Sequence, residues 1–169
     1  MPKPVFDLNF AEVATMIRPD DGDYLFSLDR KYIHHTVEIE LPVTIEEFVT
    51  IEAGCKIAQN VHIRSHCRIG RDCVLLDGVI IKCGAILGPG TICREKAFIG
   101  PNVVTTSNLD SKMSRVDVGE GSFIGAGSII MPGVRIGPKI TVGALTFVDK
   151  DLDGPPGSVY VGAPARRVK

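Results

Sequence analysis

An aliphatic residue returns every six positions along most of this chain. Counted from Ile33 to Ile99 in steps of six, eleven of twelve positions are Ile or Leu. A second series, four positions after each member of the first, runs from Val37 to Val103 and is small or β-branched throughout. Neither the period of a helix nor the simple alternation of a strand fits this spacing. The pattern predicts short strands separated by turns, with two of every six residues pointing inward.

The turns between these strands are marked by Gly or Asn. Such residues follow the aliphatic ones by three positions, for example at Gly54, Asn60 and Gly78, and they tolerate the positive φ that a tight corner needs. Three hexads would close one triangular coil, and a fixed short period is typical of solenoids. We therefore predict an all-β protein, a single-stranded parallel β-helix of about six coils stacked at ~4.8 Å.

The repeat is interrupted once. It stops at TTSNLDSKMSRVD, residues 105–117, and resumes at Val118, which predicts an excursion loop within a β-helix spanning 33–154. We predict that residues 1–32 form an N-terminal cap segment with a short helix over NFAEVATMI, because an open β-helix end exposes unpaired backbone groups. Residues 155–169 are predicted to form a C-terminal strand and a basic tail.

Composition narrows the class of protein. A chain of 169 residues suits one domain. The net charge of −1, without runs of like charge, argues against nucleic acid or a membrane surface as partner. The chain has neither an apolar run long enough for a spanning helix nor a signal-like start, so we expect a cytoplasmic protein. Five cysteines without a CxxC spacing suggest buried reduced thiols rather than disulfides or a zinc site.

The outward residue that ends each hexad changes character along the chain. It is polar in the early hexads and then apolar at six successive positions. An exposed apolar band normally marks an interface between subunits, although the N-terminal segment or the excursion could cover part of it. The apolar positions are Val74, Ile80, Ile86, Ile92, Phe98 and Val104.

The segment VGEGSFIGAGSIIMPGVRIGPKITVG, followed by GSVYVGAPARRVK, resembles the hexapeptide-repeat acyltransferases, and within them the sugar O- and N-acetyltransferase branch. The resemblance covers roughly residues 33–169 and is most specific over 99–169. It implies a left-handed coil, a homotrimer with active sites between subunits, and acetyl-CoA as co-substrate without a metal. Handedness rests on the resemblance alone, since general crossover rules favour the right hand.

The reaction implied is transfer of an acyl group, expected to be acetyl, to an amine or hydroxyl of a sugar or nucleotide-sugar by direct attack on the thioester. Many family members place a histidine in the excursion, but no histidine follows His66 here. Asn108 takes that place, as in some nucleotide-sugar N-acetyltransferases. Asparagine is no base at neutral pH, yet it can orient an amine. We predict Asn108 as catalytic, with Ser107 and Asp110 binding substrate.

Two histidines in the β-helix are further candidates. His62 is on an outward position below Ile80, and we predict it as an alternative catalytic base or an interface residue. His66 takes a corner position otherwise held by Gly or Asn, which suits a turn residue at positive φ or a substrate-binding residue. The γ-class carbonic anhydrases share this fold and bind zinc through histidines five apart. His62 and His66 are four apart with a corner between them, so that alternative is weaker.

The resemblance also implies a coenzyme A site on stacked coils. In the family, backbone groups of small residues bind the pantetheine arm, and small side chains permit that close approach. Basic C-terminal tails in the family meet the phosphates. A non-catalytic β-helix scaffold or binding protein is the main alternative, favoured by the missing loop histidine. The residues assigned are Gly125, Ala126 and Ala144 for the pantetheine arm, and Arg166, Arg167 and Lys169 for the phosphates.

Overall fold

The structure, a computed structural model, describes residues 24–26, 30–106 and 114–169. Within these residues the chain forms strands of two or three residues joined by turns, and no helix. The strands are β1 (Tyr24–Phe26), β2 (Tyr32–His34), β3 (Glu38–Ile39), β4 (Thr44–Ile45), β5 (Thr50–Ile51), β6 (Lys56–Ile57), β7 (His62–Ile63), β8 (Arg68–Ile69), β9 (Val74–Leu75), β10 (Ile80–Ile81), β11 (Ile86–Leu87), β12 (Ile92–Cys93), β13 (Phe98–Ile99), β14 (Val104–Thr105), β15 (Asp117–Val118), β16 (Phe123–Ile124), β17 (Ile129–Ile130), β18 (Arg135–Ile136), β19 (Thr141–Val142), β20 (Phe147–Val148), β21 (Val159–Val161) and β22 (Arg166–Arg167).

Every third strand pairs in parallel with the strand one coil above it, and this makes three flat faces. Face I contains β2, β5, β8, β11, β14, β17 and β20; face II contains β3, β6, β9, β12, β15 and β18; face III contains β4, β7, β10, β13, β16, β19 and β21. The result is a triangular solenoid of about seven turns, which confirms the predicted β-helix and is consistent with a left-handed coil. We call its N-terminal end lower and its C-terminal end upper.

The two inward residues of each hexad fill the prism. Aliphatic side chains of the first series stack in columns, as do Ile63 and Ile81, both 0% exposed. The second series has small side chains that donate to a corner carbonyl one coil above: Cys55 Sγ to Gly70 O at 3.1 Å and Ser122 Oγ to Gly137 O at 2.7 Å. Such bonds satisfy polar atoms that would otherwise be costly to bury.

The cysteines are mostly part of this interior. All five are unpaired, and four are buried, as expected, whereas Cys83 is exposed at a corner. Burial raises the pKa of Cys67 to about 11 and that of Cys93 to about 12. These thiols are therefore neutral space-filling groups at physiological pH.

The corners have the backbone that the sequence predicts. All nine Gly and Asn residues expected at corners have positive φ. Bulkier residues share this conformation at other corners, including Arg30, Phe48 and Leu145. Since a side chain at positive φ is unfavourable, these three corners are held in place by the coils around them. The nine expected residues are Gly54, Asn60, Gly78, Gly84, Gly90, Asn102, Gly121, Gly127 and Gly133.

The two ends of the solenoid differ. At the lower end, β1 pairs antiparallel with β2 on face I; the helix predicted over NFAEVATMI lies outside the described residues. At the upper end, β21 continues face III in parallel with β19, as the predicted C-terminal strand, and β22 folds back antiparallel onto it. The described part of the chain contains no helix long and apolar enough to cross a membrane.

Candidate functional site

The chain passes from face III to face I at a column of stacked corners, which we call edge III–I. From bottom to top these corners are residues 46–49, 64–67, 82–85, 100–103, 125–128 and 143–146. The predicted cofactor residues Gly125, Ala126 and Ala144 lie in the upper two corners. Ala126 and Ala144 are exposed and are held one coil apart by a bond from Leu145 N to Ala126 O of 2.8 Å.

The second residue of a corner on this edge carries a backbone N–H in every corner except that of Pro101. In a lower corner, Ser65 N donates to Glu46 Oε2 at 2.8 Å. No described residue accepts a hydrogen bond from the amide of Ala126 or of Ala144. The upper edge therefore offers two stacked N–H donors, ~4.8 Å apart, to an oxygen acceptor outside the chain.

The glycine in this motif has a structural cause. A Cβ on Gly125 would lie 2.6 Å from the carbonyl carbon of Gly143 and 2.8 Å from Val142 O. Gly100, one corner below, is similarly tight, with Ile124 O at 2.6 Å. Glycine at these positions is required by coil stacking, so Gly125 alone is weak evidence of a cofactor site.

The C-terminal hairpin lies at the top of the same edge. Gly162 O accepts from Phe147 N at 3.0 Å, and Ala165 N donates to Phe147 O at 2.8 Å. These bonds place exposed Arg166 and Arg167 just above the corner of Ala144, with Arg166 nearer the edge because it pairs with Val161. The structure thus brings Ala126, Ala144 and Arg166 to one edge.

Lys169 is at the other end of the hairpin. Its carbonyl accepts from Val159 N at 3.2 Å and from Arg167 Nε at 2.8 Å. Since β21 crosses face III, Lys169 is two strand residues, ~7 Å, farther from edge III–I than Arg166. The three basic residues therefore do not converge on one point.

The two histidines face different surfaces. His62 lies exposed on face III, between Thr44 below and Ile80 above. His66 lies on edge III–I with φ of 62°, and its ring stacks on Phe48 with centroids 4.8 Å apart. Both are about three coils, ~14 Å, below Ala126, so the structure does not bring them to the cofactor residues. The described residues contain no group of three or more His, Cys, Asp or Glu arranged to hold a metal ion.

The excursion is anchored on another edge. The chain leaves face I after β14 and returns at Asp117 in face II, so the excursion emerges between faces I and II. Ser107, Asn108 and Asp110 lie outside the described residues. Within one chain, face I separates the excursion's anchors from edge III–I.

Several side chains near edge III–I make contacts that the sequence pattern did not predict, although Phe98 was expected as part of the apolar band. The rings of Phe98 and Phe123 stack at 4.7 Å on face III, and Lys82 Nζ lies 5.8 Å from the centre of the Phe98 ring. Leu145, beside Ala144, is 78% exposed and has a φ of 54°. Following the spacing of eighteen residues down from His66 would have found Phe48, because stacked corners share that spacing.

The outward surface differs between faces. The apolar band includes Ile86 on face I, which is 44% exposed, and continues upward to Ile129 on face I and Phe123 on face III, which are 41% and 44% exposed. On face II the band residues Val74 and Ile92 are half-buried, and above them lie the ion pairs Arg94–Asp117 at 2.7 Å and Arg135–Asp151 at 2.9 Å. Apolar surface therefore flanks the upper half of edge III–I on both sides.

Comparisons with known proteins agree with this fold. Residues 115–150 match a family model described as the hexapeptide repeat of succinyl-transferase. A Schizosaccharomyces pombe protein whose name gives it as a candidate acetyltransferase is 37% identical over 54 residues, 32% of this chain and 25% of that protein.

Two solved structures extend the comparison. PerB from Caulobacter crescentus, in complex with CoA and GDP-perosamine, is 25% identical with a TM-score of 0.52, over 83% of this chain and 55% of PerB. The acetyltransferase domain of PglB from Neisseria gonorrhoeae is 22% identical with a TM-score of 0.52, over 82% of this chain and 57% of that one. The chain thus spans little more than half the length of either structure, and a quarter of the yeast protein.

The chain folds as a β-helix built on a six-residue repeat, and residues 115–150 match a hexapeptide-repeat model. Its resemblance to the hexapeptide-repeat acyltransferases is confirmed by the same comparisons.

Proposed function

We propose that this chain is an acetyl-CoA-dependent acyltransferase that acylates an amine or hydroxyl of a sugar carried on a nucleotide. The observation that carries the proposal is edge III–I, where the amides of Ala126 and Ala144, to which no described residue bonds, are stacked below the arginines of the C-terminal hairpin. An extended ligand with amide carbonyls along its arm and phosphates at one end matches this order of groups. PerB, which binds CoA and a nucleotide-sugar, supports the substrate class.

Acetyl-CoA would supply an acyl group already activated as a thioester. The amides of Ala126 and Ala144 would hold its arm by hydrogen bonds, since exposed alanines let a ligand approach the backbone closely. Arg166 and Arg167 would make charge-assisted bonds to its phosphates, with Lys169 assisting from the far end of the hairpin.

The acceptor would attack the thioester directly. The new C–N or C–O bond forms as the C–S bond breaks, and the proton lost by the nucleophile balances the departing thiolate. Asn108 is proposed to orient the nucleophile, with Ser107 and Asp110 holding the acceptor. His62 is the alternative base, because it is the exposed histidine on the face beside the edge. Orientation of an unprotonated amine supplies much of the rate in such transfers.

A site between subunits of a homotrimer is the proposed arrangement. The excursion and edge III–I lie on different edges of one chain, so a second chain can bring its excursion to the first chain's amides. Exposed Ile86, Phe123 and Ile129 support such contacts, because apolar area of this kind is normally covered. The five unpaired cysteines and the net charge of −1 support a cytoplasmic location.

Calorimetric titration with coenzyme A tests the proposal. We expect binding to the wild-type chain and at least a ~10-fold weaker affinity, about 1.4 kcal/mol, for Ala126→Leu and Ala144→Leu, which cover the amides. Ala53→Leu is the matched control, since Ala53 has the same corner position on another edge. Coenzyme A that fails to bind the folded wild-type chain would reject the enzyme in favour of a scaffold.

A further inference from the structure

A stack of side chains follows the lower part of edge III–I. Arg30, Phe48 and His66 hold the same corner position in three successive coils, with φ of 58°, 59° and 62°. The Arg30 guanidinium carbon lies 5.3 Å from the centre of the Phe48 ring, and the Phe48 and His66 rings are 19° from parallel. Non-glycine residues adopt the same backbone at corners of the other edges, such as Asp72 and Lys96, so the stacked side chains rather than the positive φ distinguish this edge.

The column of stacked side chains is interrupted above the exposed His66 imidazole. The next corner above His66 has Gly84, which contributes no side chain, and the one after it has Asn102. The Asn102 carboxamide leans down over Gly84 and occupies the place that a Cβ there would take. The side chains of His66 and Asn102 start two coil spacings apart, ~9.6 Å, and the carboxamide takes up the part of that interval next to the Gly84 backbone. A planar ring stacked on the outer part of the imidazole at ~4.5 Å would therefore meet the carboxamide at its edge.

Polar groups around this gap are available to a ligand. His66 is exposed, and no described residue bonds to its ring nitrogens. The carboxamide of Asn102 can both donate and accept. Lys82, in the same corner as Gly84, is half-buried and forms no ion pair with a described residue, whereas Arg64 below it is paired with Glu46. Its Nζ lies 5.8 Å from the centre of the Phe98 ring. This cation is therefore one coil above His66, in the corner over which the Asn102 carboxamide leans.

We propose that the gap between His66 and Asn102 binds the nucleobase of the nucleotide-sugar acceptor. The base stacks on the His66 imidazole, the Asn102 carboxamide bonds to its edge, and Lys82 faces the diphosphate. This inference rests on the proposed function. It also predicts how the acceptor is oriented along edge III–I. The base lies lowest, and the sugar points up towards Ala126, about three coils, ~14 Å, above His66.

Stacking on an imidazole is tolerant of base identity, because every base has a π-face. We therefore expect UDP, GDP and dTDP to bind with similar affinity, and each to bind more tightly than its nucleoside, which lacks the phosphates that Lys82 would face. A site that reads the base mainly by hydrogen bonds would separate the three instead.

Calorimetric titration of the full chain with UDP, GDP and dTDP, with and without coenzyme A, tests the inference. The variants are His66→Asn, which removes the ring but tolerates positive φ, and Lys82→Met. Lys96→Asn is the control, because it removes a cation at a positive-φ corner on another edge. We expect His66→Asn to weaken nucleotide binding ~10-fold, as for loss of one stacked base. Lys82→Met should also weaken it ~10-fold, as for loss of a charge-assisted bond to phosphate, and Lys96→Asn should have no effect. Imidazole NMR signals of His66 should shift on adding UDP.

The outcomes separate the two proposals. Coenzyme A binding with unchanged nucleotide affinity in His66→Asn would overturn the nucleobase site and leave the enzyme standing. The nucleobase site is likewise overturned if none of the three nucleotides binds a chain that binds coenzyme A. Nucleotide binding that depends on His66, in a wild-type chain that fails to bind coenzyme A, would keep the site and reject the acyltransferase.

Discussion

The lower and upper halves of edge III–I are built on the same six-residue repeat but present different chemistry. Below, the corners carry Glu46, Arg64, Phe48 and His66, so the edge is charged and aromatic. Above, the first two residues of each corner are Gly or Ala, apart from Pro101, and bare backbone faces outward. The inward residues are aliphatic or small throughout.

This contrast shows that the repeat specifies the coil, whereas the exposed corner residues determine which chemical groups each edge presents. Two inward positions of each hexad and the positive φ of the corner are required for coiling, whereas the exposed corner residues are free to vary. In the upper half, small corner residues leave backbone amides exposed. In the lower half, the corner side chains are charged or aromatic. Four changes test this division of roles, in order of decreasing effect.

Gly125→Ala tests whether the bare upper edge is needed for folding. The added Cβ would lie 2.6 Å from backbone of the next coil, which cannot move without displacing that coil. We expect a loss of about 3 kcal/mol in the free energy of unfolding by urea denaturation. Ala126→Ser, one residue on and exposed, should cost less than about 0.5 kcal/mol. Equal effects at the two positions would contradict the packing role of Gly125.

Alkaline pH tests the interior that both halves share. The pKa of Cys67 is raised from 9.0 to about 11 and that of Cys93 to about 12 by burial. The folded chain therefore retains protons that the unfolded chain releases above about pH 9, and stability should fall as pH rises from 9 towards 12. Urea unfolding between pH 8 and 11 measures the slope. Cys67→Val should flatten it, and a slope independent of both thiols would refute this assignment.

Arg166→Ala tests the proposed contact between the C-terminal hairpin and the phosphates of coenzyme A. We expect coenzyme A affinity to fall by about 5- to 10-fold, the loss of a charge-assisted bond at an exposed site, with a weaker dependence on salt. Calorimetry at two ionic strengths measures both. Arg71→Ala, an exposed arginine on edge I–II, serves as control. Similar losses in the two variants would indicate a general charge effect rather than a phosphate contact.

Phe48→Asn has the smallest expected effect on stability. It relieves the strain of a ring at positive φ and removes stacking against Arg30 and His66; each effect is about 1 kcal/mol, and the two oppose each other. Thermal unfolding should thus show a net change within about 1 kcal/mol. A loss above about 2 kcal/mol would mean that the stack, rather than the coil, holds this corner.

Much of the fold could be predicted from the local sequence pattern, but only part of the candidate site could. The positive φ at Gly54 or Asn102 was predictable because few residue types tolerate it. The predicted pantetheine residues Ala126 and Ala144 share an edge, as their spacing of eighteen suggested. Gly125 was assigned to the cofactor, but its contacts with Gly143 explain it by packing alone. Sequence cannot separate these causes, because both require a missing side chain.

The spacing between residues predicts which of them stack only where no excursion lies between them. Below it, stacked residues are eighteen apart, as for Ile63 and Ile81, but across it Ile99 pairs with Ile124, twenty-five apart. An insertion of seven residues shifts the numbering without shifting the coil. Relating His66 to Ala126 therefore needed the strand pairing itself, and that pairing put both on edge III–I.

The order of residues was enough to predict a triangular coil, its corners and its inward residues, because a six-residue period of aliphatic side chains and turn residues buries two residues of every six; the handedness of the coil did not follow from the spacing. Which exposed groups share an edge emerged only from the stacked coils: Arg166 with Ala144, Phe48 with His66, and the excursion's anchors on a different edge from both. Those relations arise from stacking between distant hexads, and each depends on how many residues the intervening loops contain.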